Sequence, residues 1–102
     1  MWSIGNEIEE QFLPDGCRIA RMLNDEVHRL DPTRPTTVCC NYYREPFDTG
    51  FAFSADILGL NYKPHTYGEV KEKYHDLLLI GSETASCVST RGVYEQIGRA
   101  HV

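Results

Sequence analysis

The sequence predicts an α/β fold built on a parallel β-sheet, and two observations support that prediction. Apolar segments of strand length alternate with helical or turn-rich segments along the 102 residues. The strand-like segments are also apolar without alternation, which is typical of parallel strands covered on both faces. A doubly wound sheet and a (β/α)8 barrel both satisfy this pattern.

The first third of the chain predicts a strand followed by a helix. Residues 1–7, "MWSIGNE", begin in mid-strand without a lead-in, so we expect Met1 to be an internal methionine of a longer protein. After an irregular polar stretch, Asp15 is placed to cap a helix, which Pro32 and Pro35 end. The predicted inward face of this helix is a stripe of apolar residues at three- and four-residue spacings: Ile19, Met22, Leu23, Val27 and Leu30.

The remaining chain predicts three more strands. The segments, in order, are a β-branched strand over 36–41, a loop over 42–51, a strand over 55–62, a short amphipathic helix over 69–77 and a strand over 77–83. In the short helix we expect Val70, Tyr74 and Leu77 to face inward. Residues 97–102, "IGRAHV", break the pattern and match one reading frame of a common sequencing adapter. We expect them to be a sequencing or assembly artefact and assign the fold to residues 1–96.

Composition excludes several classes of partner and site. The formal net charge is -5, and no basic stripe is present to attract nucleic acid or an anionic membrane. The longest wholly apolar run covers residues 77–80, far below the roughly 20 residues of a transmembrane helix. The cysteines (Cys17, Cys39, Cys40 and Cys87) lack paired C-x-x-C spacing, and the histidines His28, His65 and His75 lack i, i+4 pairing. We therefore expect free thiols, no metal site and no cofactor.

Polar groups follow all four predicted strands. Asn6 and Glu7 follow the first strand, Asn41 the second, Asn61 and Tyr62 the third, and Ser82 and Glu83 the fourth. The carboxyl ends of parallel strands gather at one edge, where chemistry is usually placed. Two carboxylates there can divide the work of cleaving a glycosidic bond, one as proton donor and one as nucleophile.

Several motifs of the chain resemble glycoside hydrolase family 2. "WSIGNE" resembles the acid/base motif of that family and "IGSETAS" its nucleophile segment, while "LDPTRPTT" and "DILGLNY" resemble connecting stretches in the same order. "GSET" followed by Arg91, Gly92 and Tyr94 is similar to bacterial β-galactosidase-like members. The resemblance extends from Met1 to about Gln96.

The resemblance implies strands four to seven of a (β/α)8 catalytic barrel and a retaining hydrolysis of terminal β-D-galactosides. It assigns the general acid/base to Glu7, the nucleophile to Glu83, a contact with the sugar 2-hydroxyl to Asn6, and a hydrogen bond to the nucleophile to Tyr62. It implies a carbohydrate substrate, no nucleic acid and no membrane as partners, and leaves a homo-oligomeric parent open. A magnesium site of some members relies on ligands outside this stretch, so none is predicted.

Other interpretations remain open from the sequence. A β-glucuronidase or β-mannosidase of the same clan differs mainly in parts of the barrel that this chain lacks. A non-catalytic carbohydrate-binding relative would not need to keep Glu7, Glu83, Asn6 and Tyr62 together. An unrelated doubly wound binding domain would carry a Gly-rich phosphate loop after the first strand, which "GNEIEEQ" does not resemble. Because a half-barrel has open sheet edges, we expect the isolated chain to be inactive and aggregation-prone.

Overall fold

The computed structural model describes residues 1–85, where four strands alternate with three helices. The strands are β1 (Trp2–Asn6), β2 (Thr36–Cys40), β3 (Ile57–Asn61) and β4 (Leu78–Glu83), and the helices are α1 (Gly16–Leu30), α2 (Glu45–Asp48) and α3 (Tyr67–Lys73). The strands form one sheet in the order β1-β2-β3-β4, and each neighbouring pair is parallel. Cys87, Arg91, Gly92, Tyr94 and the segment 97–102 lie outside the described residues.

The prediction of an α/β fold with a parallel sheet is confirmed, with strand boundaries shifted by one or two residues. The short helix predicted over 69–77 is Tyr67–Lys73, which ends four residues earlier. The third strand begins at Ile57 rather than at residue 55, because Asp56 is used as a side-chain acceptor for the backbone N–H of Thr36. The segment 42–51, predicted to be a loop, contains α2, in whose first turn Pro46 fits because that turn needs no backbone donor. A short 3₁₀ turn, Phe51–Phe53, follows it.

The core lies between the sheet and the helices. One face of β2 and β3 supplies Val38, Cys40, Leu58 and Leu60, all fully buried, and other elements add Ala20, Phe51, Ala52 and Val70. Val70, Tyr74 and Leu77 face this core as predicted, Val70 fully and the other two partly buried. The adjacent cysteines point to opposite faces, because Cys40 lies in the core while the Cys39 sulfur faces Gly59.

The predicted inward stripe of α1 is wrong. Ile19, Met22, Leu23 and Leu30 are 38, 60, 45 and 69 % exposed, whereas Ala20 is 2 % exposed. Gly16 packs instead against the backbone of Glu10 in the 3₁₀ turn Glu9–Phe12, leaving no room for a side chain, and Ala20 is the residue of α1 that enters the core. Of the apolar stripe, Ile19 and Leu23 line an apolar groove of about 210 Å³ between α1 and β1.

Asp15 precedes α1 as predicted, but its side chain makes no capping hydrogen bond. Its backbone already has helical dihedral angles (φ -77°, ψ -15°), and its carboxylate pairs with Arg18 at 3.6 Å instead. An effective cap usually has an extended backbone, which lets the side chain turn back to the first free N–H groups. The cap position is correct, and the capping interaction is not formed.

The amino ends of β2 and β3 are held by a polar network. Asp56 accepts a hydrogen bond from the Thr36 backbone at 2.9 Å and lies 2.8 Å from the His28 imidazole of α1. The Thr36 hydroxyl also lies 2.5 Å from the Asn24 side chain. These contacts link α1 to both central strands at the edge opposite the strand carboxyl ends, so this edge serves stability.

In residues 1–85, no helix combines the length and the apolar character needed to cross a bilayer.

Candidate active site

The carboxyl ends of β1, β3 and β4 bring together the four residues predicted from the sequence. Asn61 is paired in register with Glu83 at the end of β3 and β4, where the ladder shifts by one residue. Asn6 ends β1, and Glu7 follows it directly. The structure thus places Asn6, Glu7, Tyr62 and Glu83 in one cluster, which we call the carboxylate cluster together with Asn61.

The two carboxylates of the cluster share one hydrogen-bond donor. The side-chain nitrogen of Asn61, Nδ2, lies 2.9 Å from Glu7 Oε1 and 3.2 Å from Glu83 Oε1. The two oxygens are therefore at most about 6.1 Å apart, the sum of those two distances. Retaining glycosidases hold their carboxyl groups about 5–5.5 Å apart and inverting ones about 6.5–9.5 Å apart. The bound is compatible with direct attack by one carboxylate.

Neutral donors surround both carboxylates. The Tyr62 hydroxyl donates to Glu83 Oε2, and Asn61 donates to Glu83 Oε1, so each oxygen of Glu83 has a donor. Within residues 1–85, no Lys, Arg or His nitrogen forms an ion pair with Glu7 or Glu83. Hydrogen bonds from neutral groups hold a carboxylate in place without pairing it with a cation.

Two residues of the cluster have left-handed backbones. Glu7 has φ 52° and Tyr62 has φ 59°, a region that non-glycine residues enter at a cost of about 1–2 kcal/mol. Each follows the last residue of a strand and donates its N–H to the next strand: Glu7 to Cys39 at 2.8 Å and Tyr62 to Glu83 at 2.5 Å. Strain of this kind concentrates at functional sites, and here it turns both side chains into the cluster.

A glycine makes room for the centre of the cluster. A Cβ atom on Gly59 would lie 2.6 Å from Ser82 Oγ and 2.9 Å from Cys39 Sγ. The absence of a side chain lets Ser82 pack over β3, where its hydroxyl donates to Asn61 Oδ1 at 2.5 Å. Gly59 therefore positions Ser82, and through it Asn61.

The other polar residues near this edge stay outside the cluster. Asn41 accepts a hydrogen bond from Gln11 at 3.0 Å, and Tyr42 packs edge-on against Phe12 with ring centroids 4.9 Å apart. Arg44 lies over the Tyr43 ring, 5.6 Å from its centroid. His65 lies in the exposed 3₁₀ turn after β3. None of these contacts reaches a carboxylate of the cluster.

Asn61 is the residue whose importance the sequence did not reveal. It was recognised as a polar strand end, but only the structure joins it to both carboxylates. The available signal was its place in "LGLNY": an amide that ends an apolar strand and cannot be buried without partners.

Two clefts of about 410 Å³ each lie away from the cluster. One cleft is lined by residues in and beside α2 and α3, including Tyr43, Arg44 and Lys73. The other cleft is lined by residues around His75. The carboxylate cluster lies on an open face of the sheet, with Tyr62 40 % exposed. Residues 1–85 also contain no group of three or more His, Cys, Asp or Glu side chains arranged to hold a metal ion.

Comparison with known proteins finds similarity to glycosyl hydrolases. The chain is 31% identical to "Beta-galactosidase BoGH2A" of Bacteroides ovatus over 92% of its own length. Two solved structures of a glycosyl hydrolase family 2 member from Bacteroides cellulosilyticus match 82% of the chain, each with 34% identity and a TM-score of 0.75. The chain spans only 15% of the Bacteroides ovatus protein and 11% of the solved chains. No family model matches the sequence.

Proposed function

We propose that this chain, a relative of the glycoside hydrolase family 2 proteins, supplies the two catalytic carboxylates of a longer retaining β-glycosidase. The observation that carries the proposal is the Asn61 amide within hydrogen-bond distance of Glu7 and Glu83. Two carboxylates this close on the open face of a sheet are suited to attack on a sugar and protonation of its leaving group.

In the first step of the proposed reaction, a Glu83 oxygen attacks the anomeric carbon of the β-glycoside. The bond from that carbon to the leaving oxygen breaks as Glu7 gives its proton to that oxygen. Glu83 and the sugar are then joined as an ester. Tyr62 and Asn61 hold Glu83 oriented for this attack.

In the second step, Glu7 acts as a base. It takes a proton from water while the water oxygen attacks the anomeric carbon, and the ester bond to Glu83 breaks. Glu83 is released as a carboxylate, and Glu7 is protonated again. The sugar keeps its β configuration because the anomeric carbon has been inverted twice. Asn6, which ends β1 next to Glu7, is the proposed contact for the sugar 2-hydroxyl.

We propose that the sheet is strands four to seven of a (β/α)8 barrel, within a catalytic domain covering residues 1–96. The four neighbouring parallel strands and the likeness to the solved family 2 structures support this.

A terminal β-D-galactoside is the proposed substrate. Its support is the "GSETAS" segment, which contains Glu83, together with the name of the Bacteroides ovatus relative. The residues that would enclose the sugar are not part of the described sheet, which provides the floor of the site. The galactoside assignment is therefore tested separately from the catalytic roles.

Kinetics of single variants test the catalytic roles. In the full-length enzyme that contains this segment, Glu83→Gln and Glu7→Gln should each lower kcat/KM for methyl β-galactoside, whose leaving group needs a proton, Glu7→Gln by about 10²–10⁴-fold, the typical contribution of a general acid. Glu72→Gln, on exposed helix α3, is the matched control and should retain full activity. Proton NMR of the first-formed product should show the β anomer. Full activity of Glu83→Gln would refute the proposal.

Parallel assays with glucuronide and mannoside analogues determine the sugar. A preference for either over the galactoside would overturn the galactosidase assignment while leaving the roles of Glu7 and Glu83 intact.

A further inference from the structure

Asn61 is a fully buried polar residue, with 0 % exposure, at the centre of the carboxylate cluster. Its side-chain nitrogen lies 2.9 Å from Asn6 Oδ1, 2.9 Å from Glu7 Oε1 and 3.2 Å from Glu83 Oε1. Its side-chain oxygen accepts from Ser82 Oγ at 2.5 Å. A buried amide that served only to stabilise the fold would be expected to bond backbone groups, which are the commonest partners of side chains. The partners of the Asn61 side chain are instead all side chains, three of them in the carboxylate cluster and the fourth Ser82.

The orientation of the Asn61 amide is fixed by its neighbours. Three oxygens face its nitrogen, and two of them belong to carboxylates, so the NH₂ group must point to that side. On the other side, the Ser82 hydroxyl donates to the amide oxygen. If the amide were flipped, its oxygen would face both carboxylates without a donor. The hydrogen bond from Ser82 therefore keeps the amide donors oriented toward Glu7 and Glu83.

The amide has fewer hydrogens than it has acceptors. An Asn side chain donates two hydrogens, while three oxygens lie within reach. The donors can therefore strengthen toward one carboxylate and weaken toward the other without any movement of the backbone. In a double displacement, negative charge leaves Glu83 when the ester forms and appears on Glu7 when its proton is given away.

We propose that Asn61 is a positioning residue that supports both carboxylates in turn, oriented by Ser82. This inference rests on the proposed glycosidase function. Before attack, the amide donates mainly to ionised Glu83. In the glycosyl-enzyme, Glu83 is an ester and a weaker acceptor, so the donors favour ionised Glu7. One buried amide thus holds the two carboxylates at a fixed separation and stabilises the charge of whichever is ionised.

The pH dependence of the full-length enzyme tests this role. Asn61→Leu keeps the approximate shape of the side chain but has no donors. Because hydrogen bonds to an ionised carboxylate favour the ionised form, their loss should move both limbs of the bell-shaped kcat/KM profile to higher pH. At the pH optimum of Asn61→Leu, kcat should fall about 10- to 100-fold. KM should change by less than about threefold, because the Asn61 side chain is not proposed to touch the sugar.

Gln11→Leu is the matched control. Gln11 is also a buried amide, 1 % exposed, but its nitrogen bonds the Ile8 carbonyl at 2.9 Å and Asn41 at 3.0 Å rather than a carboxylate. Its loss should lower the midpoint of thermal unfolding and leave the pH profile in place. Ser82→Ala, at the edge of the sheet, removes only the hydrogen bond that orients the Asn61 amide. It should shift both limbs of the pH profile in the same direction as Asn61→Leu, but by a smaller amount. It also provides the test if Asn61→Leu does not fold.

The outcomes separate this inference from the function on which it rests. If Glu83→Gln abolishes turnover while Ser82→Ala and any folded Asn61→Leu keep the wild-type pH profile, the positioning role is refuted and the glycosidase function stands. If Gln11→Leu shifts the profile as much as Asn61→Leu, the effect is a general result of losing a buried amide, and the role is also refuted. If Glu83→Gln remains fully active, both the function and the inference fail.

Discussion

Replacing Tyr62 by phenylalanine removes one hydroxyl group and tests how Glu83 is held. The hydroxyl donates to Glu83 Oε2, while Asn61 donates to Glu83 Oε1. The Tyr62 backbone is fixed independently, since its N–H donates to the Glu83 carbonyl at 2.5 Å. The ring of the Tyr62→Phe variant should therefore stay in place, and the change should be confined to one of the two side-chain donors of the carboxylate.

The size of the effect follows from the charge of the acceptor. A hydrogen bond to a charged group is worth about 1.5–3 kcal/mol net, and each 1.36 kcal/mol corresponds to a tenfold change in rate. If Tyr62 orients Glu83 for attack, Tyr62→Phe should lower kcat/KM for an aryl β-galactoside by about 10- to 150-fold. The loss should appear mainly in kcat for substrates whose rate is limited by formation of the glycosyl-enzyme.

Tyr67→Phe is the matched control, because it also removes one tyrosine hydroxyl. The Tyr67 hydroxyl is buried and has no hydrogen-bond partner in residues 1–85, and its ring packs against the core. Its loss should leave kcat/KM within about threefold of wild type, because that hydroxyl forms no hydrogen bond with either carboxylate, and should be neutral or slightly stabilising. Equal effects of Tyr62→Phe and Tyr67→Phe, or an unchanged kcat/KM in Tyr62→Phe, would refute the reasoning.

Three further predictions concern stability and reactivity. Gly16→Ala would drive a Cβ atom into the backbone carbonyl of Glu10 and should destabilise the protein by about 1–3 kcal/mol in thermal melts. Gly68→Ala in helix α3, whose Cβ meets nothing within 4 Å, should stabilise the protein by about 0.4–1 kcal/mol. The reverse order of stability would contradict the packing at α1. Burial, and secondarily the neighbouring Cys39, raises the pKa of Cys40 to about 12. Because only the thiolate reacts, iodoacetamide at pH 8 should spare Cys40 and modify the partly exposed Cys17. Equal labelling of the two cysteines by mass spectrometry would contradict this prediction. The isolated 102-residue chain should be aggregation-prone and inactive, because both edges of the sheet formed by residues 1–85 are open. Hydrolysis of 4-nitrophenyl β-galactoside by that chain, abolished by Glu83→Gln, would overturn this expectation.

The strands and their direction could be predicted because their signal is local. An apolar run such as residues 77–80 with no polar alternation is typical of strands covered on both faces, as in parallel sheets. In residues 1–85, β4 ends the sheet and Leu78 is 57 % exposed, so the pattern predicts the strand and its direction rather than its burial. The inward face of α1 could not be predicted in the same way. Periodicity marks Met22 and Leu23 as apolar without saying what covers them, and here the buried residues of α1 are the small ones, Gly16 against the turn at Glu10 and Ala20 in the core.

The candidate site was predictable in part for a similar reason. A carboxylate at the end of an apolar strand is visible in the sequence, so Glu7 and Glu83 could be named. Their connection through Asn61 depends on the order of the strands and on a register shift between Leu60 and Asn61, which are long-range properties. The left-handed backbones of Glu7 and Tyr62 were hidden as well, because neither residue type favours that region.

Trapping the glycosyl-enzyme tests the central claim most directly. A 2-deoxy-2-fluoro-β-galactosyl fluoride has a good leaving group and forms an intermediate that hydrolyses slowly, so the full-length enzyme should lose fluoride and retain the sugar as an ester. Proteolysis followed by tandem mass spectrometry should locate that sugar on Glu83, and the Glu83→Gln variant should remain unlabelled. A sugar bound to Glu7 or to any other residue, or inactivation of the enzyme without a covalent label, would contradict the account.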